Sequence, residues 1–372
     1  MSVEAHVLDR YAEGAERRQE DLCCPVDYDR DLLKLLPREI IDKDYGCGDP
    51  SRYVQTGDVV LDLGSGSGKI CYMAAQLVGQ QGQVIGVDMN DAMLALARKY
   101  QREMAEKLGG DRVRFVKGMI QDLALDVEAT DKWLADHPIH DHEGLLALKA
   151  WQARQKHERP LITSESVDLV ISNCVLNLVD DGDKRQLFDE IFRVVKPGGR
   201  IAISDIVCDE PVPDSLKQDP QLWSGCISGS LQEQEFLQGF VDAGFVSAKI
   251  DQWGEEPWRV VDGIEFRAVT VTATKPEGDE CMDFGHAVIY KGPYEKVHDD
   301  EGHVYYRGQR MAVCERTFRF LTKGPMKDDF IGIAPAAMGE GKPWCAPSGT
   351  LRSAAETKGG INIGGESGGS CC

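Results

Sequence analysis

The chain has 372 residues, 42% hydrophobic and 28% charged, and its 62 acidic against 42 basic side chains leave a formal net charge of −20. That is enough apolar material for one large core and a second small one, while the acidic balance excludes nucleic acid and anionic membrane surfaces as partners. No run is apolar enough to cross a bilayer and the opening MSVEAHVLDRYAEGAE lacks signal-peptide blocks, so we expect a cytoplasmic protein with reduced thiols and a small-molecule substrate.

In chain order, residues 1–56 read as a polar arm with helical patches, carrying Cys47 within Tyr45-Gly46-Cys47-Gly48, where the two glycines suggest a mobile thiol. The run VVLDL at 59–63 is a buried strand, followed by a glycine turn and a helix with Ile70, Met73, Ala74 and Leu77 on one face and Cys71 off it. A strand at 83–88, a helix over 91–107 closed by Gly109 and Gly110, and a strand at 113–117 repeat the pattern. A long polar insertion at 123–162, with Trp133, Trp151, His137, His140 and His142, is expected as a helical hairpin on the surface. Then come a strand at 167–172, a helix through Leu187, Phe188, Ile191 and Phe192 stopped by KPGG at 196–199, and the strand RIAISD. Ser230 and Glu233 have capping-box spacing for a helix ending near Gly244, and strands follow at 246–251 and 264–274.

Alternation of this kind predicts an α/β, doubly wound, Rossmann-like domain over 57–275. Residues 276–345, with HAVIYKG, HVYYRG and FRFLTKG, read as a small, mostly β C-terminal domain, and 346–372 as a flexible Gly/Ser/Cys tail. The adjacent pairs Cys23-Cys24 and Cys371-Cys372 fall in such flexible ends. Nothing in the sequence calls for more than a monomer.

The turn Asp62-Leu-Gly64-Ser65-Gly66-Ser67-Gly68 spaces its glycines G-x-G-x-G, unlike a pyrophosphate-binding G-x-G-x-x-G, and puts a carboxylate where it would repel phosphate and suit an ammonium group. Asp88 ends the second strand about 20 residues further on, placed to hold ribose hydroxyls. The turn resembles the first motif of class I S-adenosylmethionine-dependent methyltransferases. That resemblance implies Met89 and the segment Gly118, Met119, Ile120 beside the adenine, and Asn173 near the amino-acid end of the cofactor.

Three strand ends bring cysteines to the crevice: Cys71 after the first, Cys174 after the fourth and Cys226 after the fifth, with Cys47 ahead of the sheet. Any one of them could be core filler; as a set they suit a soft, thiophilic substrate better than a zinc site, since none forms a C-x-x-C pair. YGCG, DLGSGSG followed by Cys71, SNCVLNL around Cys174 and LWSGCISG around Cys226 resemble the arsenite S-adenosylmethionine methyltransferases from about Tyr45 to 275. The resemblance implies methylation of trivalent arsenic, arriving as arsenite or a thiol conjugate, in arsenic detoxification. It also implies arsenic ligands Cys71, Cys174 and Cys226, a disulfide step pairing Cys47 with Cys71, and thioredoxin or glutathione as the thiol reductant. Trp223, three residues before Cys226, would share a helical face with it. A methyltransferase for an organic acceptor, or a non-catalytic arsenic-binding protein, are the competing readings.

Overall fold

The computed structural model describes residues 3–19, 22, 26–278, 280–335 and 340–357; Cys23, Cys24, Cys371 and Cys372 lie outside them. Among the described residues, three α-helices and a 3-10 turn at Pro50–Tyr53 precede the first strand: α1 (Val3–Glu16), α2 (Arg30–Leu33) and α3 (Arg38–Asp42). Strand β1 (Val59–Leu63) then alternates its side chains between two cores, Leu61 and Leu63 into one and Val60 into the other. The Val60 core is built on α4 (Lys69–Leu77), β2 (Gln83–Asp88), α5 (Asp91–Lys99), α6 (Gln101–Leu108) and β3 (Val113–Lys117).

The expected helix over 91–107 is broken at Tyr100, whose hydroxyl bonds Glu39 at 2.5 Å, so α5 and α6 meet at a bend. The insertion is a helical hairpin, α7 (Val127–Asp136) and α8 (His142–Glu158), with Trp133 stacked on Trp151 and on His137. No side chain of α8 is buried, and His137, His140 and His142 are exposed.

Strand β4 (Val167–Asn173) and helix α9 (Lys184–Val194) follow. KPGG does not stop that helix before the next strand; it lies inside β5 (Val195–Cys208), which starts directly after α9, with Gly198 at φ +76°. Short helices α10 (Asp214–Lys217) and α11 (Pro220–Ser224) lead to α12 (Glu233–Ala243), which ends on left-handed Gly244. The capping box is not formed, because Ser230 Oγ donates to the Cys226 carbonyl at 2.9 Å and Gln232 is the N-cap. Phe188 of α9 meets Phe240 of α12 edge-on at 4.8 Å in the Leu61 core.

With β6 (Val246–Trp253), β7 (Arg259–Val261) and β8 (Ile264–Thr274) the sheet runs β3-β2-β1-β4-β5-β8-β6, β7 pairing with β8. The first five strands are parallel and β8 is antiparallel to β5, β6 and β7. Chain direction across the sheet reverses between β1 and β4, where an open parallel sheet leaves a crevice beyond its strand ends.

Residues Met1–Pro276 and Glu277–Cys372 form two compact units. The second contains β9 (Met282–Asp283), β10 (Ala287–Tyr290), β11 (Lys296–His298), β12 (Val304–Tyr306), β13 (Met311–Ala312), α13 (Glu315–Lys323), β14 (Phe330–Ile333) and β15 (Lys342–Pro343). FRFLT is helical in α13, not a strand: Cys314 caps it, and Thr317 and Leu321 are its buried residues. Residues 346–357 of the expected flexible tail are held in place, with Leu351 bridged to Met311 and Arg352 on Asp283 at 2.6 Å, and the rest of that tail lies outside the described residues.

Candidate functional site

The glycine turn lies beyond the end of β1, at the crevice. Gly64 has φ +66°, and a Cβ there would lie 2.4 Å from Val175, so only glycine lets the turn pass beneath the β4 end. The turn lines an open cleft of about 950 Å³ with Asp62, Gly64, Ser65, Gly66, Asp88, Met89, Gly118, Ile120 and Asn173 on its wall. Gly68 is not on that wall; it is the left-handed N-cap of α4.

Asp88 accepts from Gly66 N and Asn90 N, both at 2.8 Å. The cap of α5 is Asn90, not Asp88, which leaves the Asp88 carboxyl at the cleft. Asp62 is almost fully buried. Burial pushes its carboxyl up to about 8, opposed by the Cys71 thiol, which donates to Oδ2 at 3.1 Å, and reinforced by Asp44 and Asp88. Ser65 Oγ is buried with no hydrogen-bond partner. A desolvated carboxyl, an orphaned hydroxyl and a carboxylate at the β2 end fit a ligand that brings an ammonium group and a ribose.

The four cysteines separate. Cys47, Cys174 and Cys226 pack in one cluster with Leu178, Ile206 and Trp223. The Sγ atoms of Cys47 and Cys174 and a carboxylate oxygen of Asp205 all lie within 4.8 Å of one another, and Cys226 Sγ donates to the Cys174 carbonyl at 3.2 Å. Cys71 belongs to the other core: it is fully buried, not off the apolar face, because every residue from Lys69 to Ala75 is covered. Burial, and then Asp62, push its thiol well up, so it is held protonated. Of the four, only Cys174 lines the cleft.

Two local features fix the sulfurs. Cys174 and Cys226 both adopt left-handed backbone, φ +63° and +60°, which costs a non-glycine residue about 1 kcal/mol or more. The glycines beside Cys47 serve close packing and not mobility: a Cβ on Gly46 would lie 2.2 Å from Asn173 Nδ2, and one on Gly48 2.4 Å from Ser204 Oγ. Asn173 Oδ1 accepts from Cys47 N at 2.9 Å and Gly48 N at 3.0 Å, and Nδ2 donates to Gly48 O at 2.9 Å and Tyr28 Oη at 3.2 Å. Its amide therefore clamps the Cys47 loop to the end of β4.

Three further residues reach the site that the sequence does not single out. Tyr11 of α1 lines the cleft, and its hydroxyl lies 4.0 Å from Cys226 Sγ. Gln121 lines the cleft next to Ile120. Asp205, fully buried in β5, accepts from Leu176 N and Asn177 Nδ2 at 2.8 Å; burial pushes it up to about 6 against backbone hydrogen bonds from Ile206, Leu176 and Asn177. Trp223 does not share a helical face with Cys226, since α11 ends at Ser224; its indole donates to Leu178 O at 3.3 Å and walls the cluster. Among the described residues no helix is long and apolar enough to cross a membrane.

A family model described as a methyltransferase domain matches residues 55–149 and 142–244, and one described as a domain of unknown function matches 277–362. An arsenite methyltransferase of Aquipseudomonas alcaligenes is 32% identical over 304 residues, 78% of this chain and 77% of the relative. One from Mus musculus is 31% identical over 319 residues, 82% and 74% of the two chains. The crystal structure of an arsenic(III) S-adenosylmethionine methyltransferase from Chlamydomonas reinhardtii superposes with a TM-score of 0.54 at 27% identity, covering 86% of this chain and 99% of that one.

Proposed function

The chain belongs to the arsenite methyltransferase family, and we propose that it methylates trivalent arsenic held on the sulfurs of Cys174, Cys226 and Cys47. The observation that carries this ligand set is the gathering of these three buried cysteines in one cluster, with Cys174 on the wall of the cleft. When bound, S-adenosylmethionine supplies a methyl group on a positively charged sulfur, which the arsenic lone pair takes.

The protein's part is positioning. Asp62 faces the ammonium of the cofactor, Asp88 its ribose, and Met89, Gly118 and Ile120 its adenine; Asn173 holds Cys47 beside Cys174. Thiolates fix the substrate without a general base, so orientation and exclusion of water supply the acceleration. The α1 helix covers the cluster: Arg10 binds Ser224 Oγ at 2.9 Å and Leu8 O accepts from Asn90 Nδ2 at 2.9 Å. Cys71 is assigned to the cofactor side, where its thiol hydrogen-bonds Asp62. Thioredoxin or glutathione keeps the thiols reduced between turnovers, and the activity serves arsenic detoxification.

Arsenite offers three positions to thiolates and methylarsenite two. In assays with S-adenosylmethionine, a thiol reductant and chromatographic speciation, Cys174→Ser and Cys226→Ser should abolish methylation of both substrates. Cys47→Ser should lose arsenite but keep most activity on methylarsenite. Equal losses on both substrates for every variant would overturn the three-sulfur scheme.

A further inference from the structure

Four of the cysteines described so far belong to the first unit; the second unit has an array of its own. Asp299 closes the β11–β12 hairpin, its Oδ1 accepting from Glu301 N at 3.1 Å and His303 N at 2.8 Å. Its Oδ2 takes His303 Nδ1 at 2.8 Å and the Tyr305 hydroxyl at 2.7 Å. The other ring nitrogen, Nε2, lies 4.0 Å from Sγ of Cys345. Cys345 follows β15, and its solvent-exposed side chain also has a hydrogen-bond contact with Cys281, which precedes the partner strand β9. Carboxylate, imidazole, exposed thiol and half-buried second thiol thus stand in a row.

We propose that Cys345 and Cys281 form a thiol–disulfide exchange site in the C-terminal unit, with Cys345 the attacking sulfur and Cys281 the resolving one. The substrate class is a disulfide with an accessible S–S bond. Asp299 fixes the imidazole with Nδ1 protonated and turned inward, so that Nε2 addresses Cys345. The local electrostatics run the same way: the Asp299 hydrogen bond pushes His303 up to about 9, and His303 in turn holds the Cys345 thiol below its usual range. Burial, with the Cys345 contact, pushes Cys281 up to about 12, so the resolving thiol keeps its proton until the first attack has occurred. Glu301, 4.0 Å from His303 Nδ1, is paired with Arg316 at 2.5 Å.

In the forward step the Cys345 thiolate attacks one sulfur of the disulfide, the S–S bond breaks, and the departing thiolate is protonated. Cys281 then gives up its proton and attacks Cys345 Sγ, releasing the second thiol. A Cys281–Cys345 disulfide forms, and two electrons and two protons have passed from the protein dithiol to the substrate. Cys314 also has a side-chain contact with Cys281, but it is buried and its sulfur is engaged by Thr317 Oγ1 at 3.2 Å, so the exposed Cys345 is the sulfur an incoming disulfide meets.

The test uses the reduced full-length protein. Substoichiometric iodoacetamide with peptide mass mapping should alkylate Cys345 about tenfold faster than Cys281 near neutral pH, and His303→Gln should remove most of that advantage. With oxidised glutathione, mapping should find a Cys281–Cys345 disulfide in the native protein. Cys281→Ser should stop at glutathione attached to Cys345, and Cys345→Ser should give neither product, while arsenite methylation by Cys345→Ser is retained. Equal alkylation of the two cysteines in the native protein, or pairing of Cys281 with Cys314 instead, would overturn the proposal, and both outcomes are read without a variant having to fold. A loss of arsenite methylation in Cys174→Ser is a separate readout and bears only on the first site.

Discussion

Burial holds the Asp62 carboxyl at about 8, so in the cofactor-free protein it is largely protonated at neutral pH, and an ammonium-bearing ligand must expel that proton to pair with it. Affinity for S-adenosylmethionine should therefore rise as pH approaches 8 and level off above. Calorimetry at about pH 6.5 in buffers of different ionisation enthalpy should show nearly one proton released per cofactor bound. Asp62→Asn should remove the proton release and weaken binding about tenfold or more. Because the folded value lies above the ordinary carboxylate value of 3.8, the empty protein should also lose stability as pH climbs from about 4 through 8, and a melt series across that window reads this directly.

At the scale of elements, the Cys47 loop and the helical hairpin make opposite demands. Gly46→Ala would drive a Cβ into the Asn173 amide, so we expect a loss of about 1–3 kcal/mol in a denaturant melt and failure to methylate arsenite, with cofactor binding intact. The hairpin should be dispensable. Leu161 N and Ile162 N bond Ala124 O and Leu123 O at 3.0 and 2.9 Å, so its two ends already meet, and α8 buries nothing. Replacing residues 127–158 by a short Gly/Ser turn should leave kcat/KM for arsenite within about twofold.

Strands β1, β2, β3 and β8 fall at the expected residues because apolar and β-branched residues dominate them; β5 starts earlier than expected because KPGG lies within it, and the three-residue β7 is too short to carry a pattern. The FRFLT segment misled because its aromatics favour strands, whereas its helical face is set by Thr317 and Leu321 at a spacing of four. At the site, the glycine turn and Asp88 could be read from spacing alone. Cys71 could not be separated from the other sulfurs, since what buries it is the sheet and not its own helix: its sulfur lies on Asp62 of β1 and against Gly86 of β2, where a Cβ would come within 2.8 Å of it. Nor could Tyr11 or Asp205 be found: each reaches the cluster from a segment with no local signature, one on the N-terminal helix and one near the end of β5.

Over the whole molecule, each unit has its own core. The clusters around Leu61, Val60 and Cys174 are built from the first unit, and the one around Tyr305 and Phe330 from the second. Residues 1–276 expressed alone should therefore fold and bind S-adenosylmethionine within about twofold of the full chain, a comparison that equilibrium dialysis can make. The net charge of −20 adds a further expectation: association of the cationic cofactor should slow with rising ionic strength, a trend that stopped-flow binding reads.

The left-handed backbone at Cys174 and Cys226 carries an evolutionary consequence. Glycine would relieve strain of about 1 kcal/mol at each site, offsetting much of the packing lost with the sulfur, so Cys174→Gly and Cys226→Gly should be inactive yet nearly as durable as the parent. Folding then offers little resistance to drift at these two positions, and selection for chemistry alone is left to keep sulfur there.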